Sequence, residues 1–485
     1  VILPDWLAAR AAAAPDAEAV VAPEGVLTFG GLDAEALSAA RRLAAVGVAP
    51  GSRVALALGN GLPFVVLTHA LARLGAVMVP LNTRLAPAEA SWQLSDSRAS
   101  LVVCDDAHGA LAADAARAAG ARVLALDELE AAVPAEVALG RGTDLAAPQG
   151  IIYTSATSGR PKGALLSFGN HWWSAVGSAL NLGVHRDDRW LVPLPAYHVG
   201  GLAGLWRGAI YGIPVVIQDR FDPEAANHAI DVGGVTAVSV VSTMLRRMLD
   251  ARGDRPYPAA LRCVLLGGGP APAELIERCL AARVPVAPTY GLTEAASQVA
   301  TLRPDEVARR PGSSGRPLLP VEVRVDGEEI LVRGPTVMLG YADRPEETAA
   351  ALRDGWLRTG DLGRLDDDGY LYVLDRREDL IVSGGENVYP AEVEAVLLQH
   401  PAVADAGVVG VPDPQWGAAV AAAVVPRPGA QLDEASLRAF CADRLAHYKV
   451  PRRIWAADAL PRGPGGKLLR RELRAQAAAH AAGRL

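Results

Sequence analysis

The stretch Tyr153 to Gly163 reads YTSATSGRPKG. Its hydroxyls at Thr154, Ser155, Thr157 and Ser158, its glycines and its single lysine are the groups that hold a polyphosphate. A glycine-containing turn aims backbone N–H groups inward, the hydroxyls donate hydrogen bonds, and the lysine adds a point charge. Ile151 and Ile152 lead into it like the end of a buried strand. The same composition also makes an ordinary polar surface loop, and Ser, Thr and Gly alone do not separate the two readings. The lysine weighs between them. Of the 47 basic residues only Lys162, Lys449 and Lys467 are not arginine. A chain so biased keeps lysine where a compact ammonium must reach one oxygen and a planar guanidinium is too wide.

Other stretches carry chemistry of their own. LGGGPAPAE (Leu266 to Glu274) follows an apolar run and precedes a helical one. Pro272 stands where a dinucleotide fingerprint has its third glycine, so the segment reads as a close backbone approach to a flat ligand. YGLTE (Tyr290 to Glu294) groups an aromatic ring, a hydroxyl and a carboxylate after a β-rich run. WLRTGDLG (Trp356 to Gly363) offers Asp361 in a turn, where a carboxylate can accept both hydroxyls of a ribose. DRREDLIVSGGENVYPAEVE (Asp375 to Glu394) joins a charged run to a Gly-Gly turn, as a hinge into a new domain would. PRGPGGKLLRREL (Pro461 to Leu473) sets Lys467 on a glycine-rich loop before a helix.

Taken in this order, the motifs resemble those of the adenylate-forming superfamily of acyl-CoA synthetases, nonribosomal adenylation domains and luciferases. The resemblance spans nearly the whole chain: Lys162 in P-K-G, Pro195 to His198 as P-x-x-H, Tyr290 to Glu294, Thr359 to Asp361, Arg376 at a hinge and Lys467 in the terminal G-K. Within the superfamily the chain is most similar to the o-succinylbenzoate–CoA ligases of menaquinone biosynthesis. The narrower likeness rests on HVGGL (His198 to Leu202), SVVSTML (Ser239 to Leu245), LLGGGPAP (Leu265 to Pro272), TYGLTEAASQVATL (Thr289 to Leu302), YVLDRREDLIVSGGENVYPAEVE and YKVPRR (Tyr448 to Arg453).

The resemblance implies two half-reactions that use ATP, Mg²⁺ and coenzyme A. A carboxylate attacks the α-phosphate to form an acyl-adenylate and pyrophosphate, and the thiol of coenzyme A then displaces AMP. By the family's pattern Thr154, Ser155, Thr157 and Lys162 cradle the β and γ phosphates, Thr293 bonds the α-phosphate and Glu294 holds Mg²⁺. Gly268, Gly269, Pro270 and Tyr290 would hold the adenine, and Asp361 and Arg376 the ribose. Lys467 would bridge the attacking carboxylate and the α-phosphate, and Gly384 and Gly385 would line the pantetheine channel. The resemblance also implies that Glu378 would be the hinge about which a mobile C-terminal domain swings. His198 is either a satisfied core histidine or, with Gly200 and Gly201, a wall of the acyl pocket. Ser239, Ser242, Thr289 and Ser297 are either structural or polar contacts to an acid bearing a second carboxylate and a ketone. Lys449 is assigned no catalytic role, and a surface lysine fits there equally. Ala156 departs from the family, giving T-S-A-T for T-S-G-T. A Cβ at a position needing φ > 0 costs about 1 kcal/mol or more, so Ala156→Gly is expected to raise turnover or lower the KM for ATP in steady-state assays. Glu378 replaces a residue that is smaller in many relatives.

These groups must be positioned by elements that alternate short β-rich runs with alanine-rich helical ones. The strand-type runs are Val26 to Phe29, Arg53 to Leu58, Val77 to Pro80, Leu101 to Cys104, Arg122 to Leu126, Trp190 to Pro193, Val215 to Ile217, Ala237 to Val241, Cys263 to Leu266 and Val284 to Ala287. Helical stretches at Asp33 to Val46, Pro63 to Leu74 and Ala107 to Ala119 lie between the earlier ones. The alternation predicts an α/β fold with mixed, mostly parallel sheets flanked by helices. After Pro317 the pattern becomes strand-rich (about 317–377), and from about Leu380 a small α+β domain follows. The expected domains are 1–377 and 378–485.

Composition narrows the class. Hydrophobic residues at 51% and charged residues at 21% describe a soluble globular chain, and a net charge of −7 gives no footprint for nucleic acid. Arg470, Arg471 and Arg474 read as the solvated face of a helix. Cys104, Cys263, Cys279 and Cys441 form no C-x-x-C pair, which points to a reducing cytoplasm without zinc or disulfides. The N-terminal residues show no basic leader, and Val54 to Leu81 is interrupted by Asn60, Pro63, His69 and Arg73, so neither a signal peptide nor a membrane span is expected. The expected partners are a small carboxylate, ATP and coenzyme A, with a homo-oligomer left open. Rival readings are a ligase for another aryl or medium-chain acid, a domain loading a carrier protein, and a nucleotide-binding regulator. The chain stops soon after the G-K motif, which favours a free-standing ligase.

Overall fold

The computed structural model describes residues 1–137, 139–140, 142–154, 161–269, 271–375, 380–430, 433–461 and 468–481. The chain forms two compact units. The first comprises Val1–Thr83, Leu94–Ile152 and Gly163–Leu374, and the second Arg84–Gln93, Tyr153–Lys162 and Asp375–Leu485.

The first unit carries the expected α/β pattern. Its nine-stranded sheet runs Arg316–Pro317, Ser297–Thr301, Val286–Leu292, Cys263–Leu266, Ala237–Val240, Trp190–Val192, Val215–Ile217, Glu18–Ala22, Gly25–Thr28. The strands from Val286–Leu292 to Glu18–Ala22 pair in parallel, and antiparallel strands flank them at both edges. A seven-stranded sheet has Val77–Pro80, Arg53–Ala57, Leu101–Cys104 and Arg122–Ala125 in parallel. Val77–Pro80, Leu101–Cys104 and Cys263–Leu266 are buried at every residue, as parallel strands covered on both faces must be. The helix Phe29–Ala45 starts earlier than Asp33 because the Thr28 hydroxyl accepts from Gly31 N at 3.1 Å and caps it. It buries Phe29, Leu32, Ala36, Ala39, Ala40 and Leu43, one apolar stripe.

The strand-rich part of this unit is a five-stranded sheet built on Glu322–Asp326, Glu329–Arg333 and Trp356–Leu365. Here the structure corrects an expectation. Asp361 lies inside the ten-residue strand Trp356–Leu365, not in a turn. The ladder with Glu329–Arg333 shifts register between Glu329 and Leu331, and Gly360 adopts φ +71°. Such an irregularity re-aims a side chain without ending the strand, and the Asp361 N–H donates to Thr359 Oγ1 at 3.1 Å there.

Two histidines are walled into the first unit's aromatic core. His69 meets Trp206 edge-on at 5.2 Å, and His171 lies 5.9 Å from the same ring. Burial lowers their pKa values to about 4 and about 3. The unfolded chain therefore takes up protons near pH 6.5 that the folded chain refuses, so stability falls as pH drops from 6.5 towards 4. Each group contributes a slope of about 1.4 kcal/mol per pH unit. Melting temperatures measured from pH 7 to pH 4.5 should decline, and His171→Gln should flatten the decline.

In the second unit, Val403–Asp413 and Gly417–Pro426 form a long antiparallel hairpin. Ile381–Ser383 pairs with Gly417–Pro426, Glu386–Val388 pairs with Ile381–Ser383, and Arg453–Ala456 joins Gly417–Pro426 in parallel. Val393, Leu397, Val408, Val420, Leu437 and Cys441 form its core. Arg470 is not on a solvated face. Its side chain is 11% exposed and forks onto both oxygens of Glu394 while donating to Val408 O. All four cysteines are buried and unpaired, and no helix among the described residues is long and apolar enough to cross a membrane.

Candidate active site

Tyr290 and Asp361 meet in the first unit. The strand Val286–Leu292 begins two residues later than expected and continues through Tyr290, because Ser297–Thr301 pairs beside it and prolongs the ladder. That placement leaves Tyr290 only 4% exposed and lets its hydroxyl donate to Asp361 Oδ2 at 2.6 Å. The residues expected at the adenine and at the ribose are thus directly linked. Just beyond, Thr293 and Glu294 share the tight turn Thr293–Ala295. Glu294 Oε1 accepts from the Tyr341 hydroxyl at 3.0 Å, and its backbone oxygen accepts from Met338 N. Ala296 and Ser297 then take φ +51° and +92°. Two successive non-glycine residues in that region hold backbone strain, which concentrates at functional sites.

Gly268 and Gly269 follow the strand Cys263–Leu266, before the helix Ala273–Ala281. His198 stands at the start of the helix Val199–Tyr211, its ring 4.7 Å from Tyr197. A Cβ on Gly201 would lie 2.3 Å from Pro195 O, so only glycine lets this helix begin against the P-x-x-H turn. Gly200 is looser, with Leu194 3.4 Å away. Ser239 accepts from Trp190 Nε1 at 2.9 Å, which gives its hydroxyl a core partner. Ser242 opens the helix Ser242–Arg252.

Thr289 leads to a residue that the motifs did not mark. Its Oγ1 lies 2.8 Å from Thr301 Oγ1, which accepts from Gln298 Nε2 at 2.8 Å, and Gln298 Oε1 accepts from Arg207 Nη2 at 2.7 Å. Arg207 is fully buried and lies 5.5 Å from the Trp190 ring. It has no carboxylate partner among the described residues, and burial pulls its pKa down. The signal was in the sequence as the lone charge in VGGLAGLWRGAIY.

In the second unit the Thr154 hydroxyl donates to Lys162 O at 3.4 Å, and Lys162 opens the strand Lys162–Ser167. Gly384 and Gly385, at φ +61° and +88°, make a two-residue hairpin turn between Ser383 and Glu386. Gly384 N donates to Trp416 O at 2.8 Å, and a Cβ there would lie 2.6 Å from the Trp416 ring. Lys449 is not a surface lysine. It is 3% exposed, with Nζ 2.6 Å from Glu89 Oε1 and 2.7 Å from Glu392 Oε1. Ser155, Ala156, Thr157, Pro270, Arg376, Glu378 and Lys467 lie outside the described residues.

The largely parallel nine-stranded sheet carries Tyr290 and the five-stranded sheet carries Asp361, and a small α+β sheet follows in sequence. The chain matches the AMP-binding enzyme family over residues 7–342 and the AMP-binding enzyme C-terminal domain over 392–467, and it belongs to that family. It is 50% identical to a 2-succinylbenzoate–CoA ligase of Geobacillus kaustophilus, over 97% of each chain. Among solved structures it is similar to o-succinylbenzoate CoA synthetase of Bacillus subtilis. A double mutant of that protein bound with a product analogue superimposes with a TM-score of 0.94 at 41% identity, covering 98% of each chain. The same protein in complex with its acyl-adenylate intermediate gives 0.76 at 40% identity, also over 98% of each chain.

Proposed function

We propose that this chain is an ATP-dependent, AMP-forming acid–CoA ligase that converts o-succinylbenzoate, ATP and coenzyme A to o-succinylbenzoyl-CoA, AMP and pyrophosphate in the cytoplasm. The observation that carries the reading is the 50% identity, along nearly the full length of both chains, to a protein named for that reaction. Arg207, buried and hydrogen-bonded to the neutral Gln298 with no acidic partner among the described residues, fits an acid with a carboxylate to spare.

The chemistry divides into two displacements. A carboxylate oxygen of the acid attacks the α-phosphorus, the bond to the bridging oxygen breaks, and pyrophosphate leaves. The coenzyme A thiolate then attacks the acyl carbonyl, and the bond to the AMP oxygen breaks. An anion must approach a polyanion, so fixed donors aimed at the developing charge are the main requirement. Thr154, Ser155, Thr157 and Lys162 hold the β and γ phosphates, Thr293 the α-phosphate, and Lys467 the attacking carboxylate. Tyr290 and Asp361, joined by their 2.6 Å hydrogen bond, set adenine and ribose as one rigid piece. Magnesium is held by one or two carboxylates together with substrate phosphates, and Glu294, oriented by the Tyr341 hydroxyl, supplies such a carboxylate. When bound, the ion neutralises charge on the triphosphate. The Bacillus subtilis relative has been solved with ATP and magnesium. Residues 1–377 form the ATP- and acyl-binding domain, and 378–485 a mobile domain. That domain turns about Glu378 to deliver first Lys467 and then the Gly384–Gly385 turn.

Mass spectrometry tests the two steps. Incubation with ATP and o-succinylbenzoate alone should yield o-succinylbenzoyl-AMP, and adding coenzyme A should convert it to the thioester. Formation of ADP, or of thioester with no adenylate on the way, would overturn the reading.

A further inference from the structure

Lys449 is one of three lysines in a chain that otherwise uses arginine, and the chemistry derived above leaves it without a task. Its surroundings are built. The ammonium sits between Glu89 Oε1 at 2.6 Å and Glu392 Oε1 at 2.7 Å. Glu89 lies in the first turn of a helix, Pro87–Ser97, and does more than pair with the lysine. Its Oε2 accepts from Ala86 N and also from Ala446 N, and Lys449 N closes the turn onto Ala446 O at 2.8 Å. One carboxylate thus ties the segment Arg84–Gln93 to both ends of the turn 446–449. A planar guanidinium is wider than an ammonium and less suited to a gap bounded by two carboxylates this close. Burial opposes the charge on Lys449, but the two glutamates outweigh it and raise the lysine's pKa. Glu392 is pushed up by its own burial, and its Oε2 has no partner among the described residues.

The same short segment also reaches the hairpin turn of Gly384 and Gly385. Arg84 Nη1 lies 3.3 Å from Glu386 Oε1, and Glu386 directly follows the two glycines. Glu392 stands on the helix Pro390–Leu397, which starts right after that hairpin. The Gly-Gly turn is therefore braced from two sides by groups that converge on Arg84–Gln93. One turn of helix further on, Trp92 and Gln93 hold Tyr153, through a ring contact at 5.9 Å and a 3.1 Å hydrogen bond, and these contacts do not involve Glu89.

We infer that Lys449, held by Glu89 and Glu392, is a positioning residue for thioester formation, fixing the Gly384–Gly385 turn where the pantetheine thiol approaches the acyl-adenylate. This rests on the two-step ligase reading above. Misplacing a reacting group by about 1 Å costs on the order of 10²-fold in rate, and the contacts of Trp92 and Gln93 to Tyr153, at the head of the phosphate loop, run through neither Glu89 nor Lys449. The two half-reactions should therefore respond differently.

The test measures both on the full chain. Pyrophosphate release from ATP and o-succinylbenzoate without coenzyme A reads the first, and thioester formation from supplied o-succinylbenzoyl-AMP and coenzyme A reads the second. Glu89→Gln is expected to leave the first within about twofold and to lower kcat of the second by about 10-fold or more. Lys449→Met should show the same selectivity, and the double variant should be no worse than the more impaired single one, as coupled groups behave. If Lys449→Met does not fold, Glu89→Gln still decides, because it leaves the lysine paired with Glu392. Equal losses in both half-reactions, or none in either, would overturn the inference. A wild-type chain that releases no pyrophosphate with this acid speaks against the ligase reading instead, and the same ratio measured with the acid it does activate still judges Lys449.

Discussion

Lys467→Ala is expected to lower acyl-adenylate formation by about 10²–10³-fold, the usual cost of removing one donor from developing charge. Thioester formation from supplied acyl-adenylate should persist near the wild-type rate. The prediction follows from what each step needs. Only the first brings a free carboxylate against a phosphate, and a slim ammonium between the two oxygens lowers their repulsion. Once the mixed anhydride exists, that repulsion is gone, and the second step depends on delivery of the thiol. Pyrophosphate release and thioester formation measured separately on the purified variant check it. Loss of both in equal measure would remove the assignment of Lys467 to the first step and, with it, the domain swing about Glu378.

Arg207→Met should cut kcat/KM for o-succinylbenzoate by about 10²–10³-fold while leaving the KM for ATP unchanged. Truncating one partner of a buried, hydrogen-bonded charge pair costs about 2–5 kcal/mol, much of it the cost of the stranded charge. On the proposed reading, Arg207 is the charge that lacks a carboxylate until the acid arrives. Arg207 is fully buried, donates to Gln298 at 2.7 Å, and faces no carboxylate among the described residues. o-Succinylbenzoate brings a second carboxylate that is not activated. Benzoate does not, so the variant should treat benzoate as well as the wild type does, or better. Methionine fills the apolar space beside Trp190, and a melting curve separates loss of fold from loss of recognition. Equal losses with both acids would assign Arg207 to the core alone.

The strands of the first unit were largely legible because buried parallel strands write themselves as short apolar runs. Leu101–Cys104, Val215–Ile217 and Cys263–Leu266 are such runs, bounded as expected. Legibility failed where pairing partners decide. Nothing local in TYGL says strand; the antiparallel neighbour Ser297–Thr301 makes it one. T-G-D looks like a turn, but the bulge against Glu329–Arg333 absorbs it inside a strand. Charged residues misled in one direction. Arg470 and Lys449 both belong to types that favour solvent, and each is buried because glutamates far off in sequence come to meet it. Pairings across 76 and 360 residues leave no mark in a local window. Of the site, Tyr290 and Asp361 were named separately for their chemistry, and the structure adds that they touch. Arg207 was visible only as a charge out of place in an apolar helix.

Acid selectivity tests the central claim most directly. Coenzyme A-dependent AMP release measured for o-succinylbenzoate, benzoate, octanoate and acetate should give the highest kcat/KM for o-succinylbenzoate, with benzoate and octanoate well below and acetate lowest. Octanoate or benzoate outrunning o-succinylbenzoate by a wide margin would contradict the account and leave an AMP-forming ligase of a different acid.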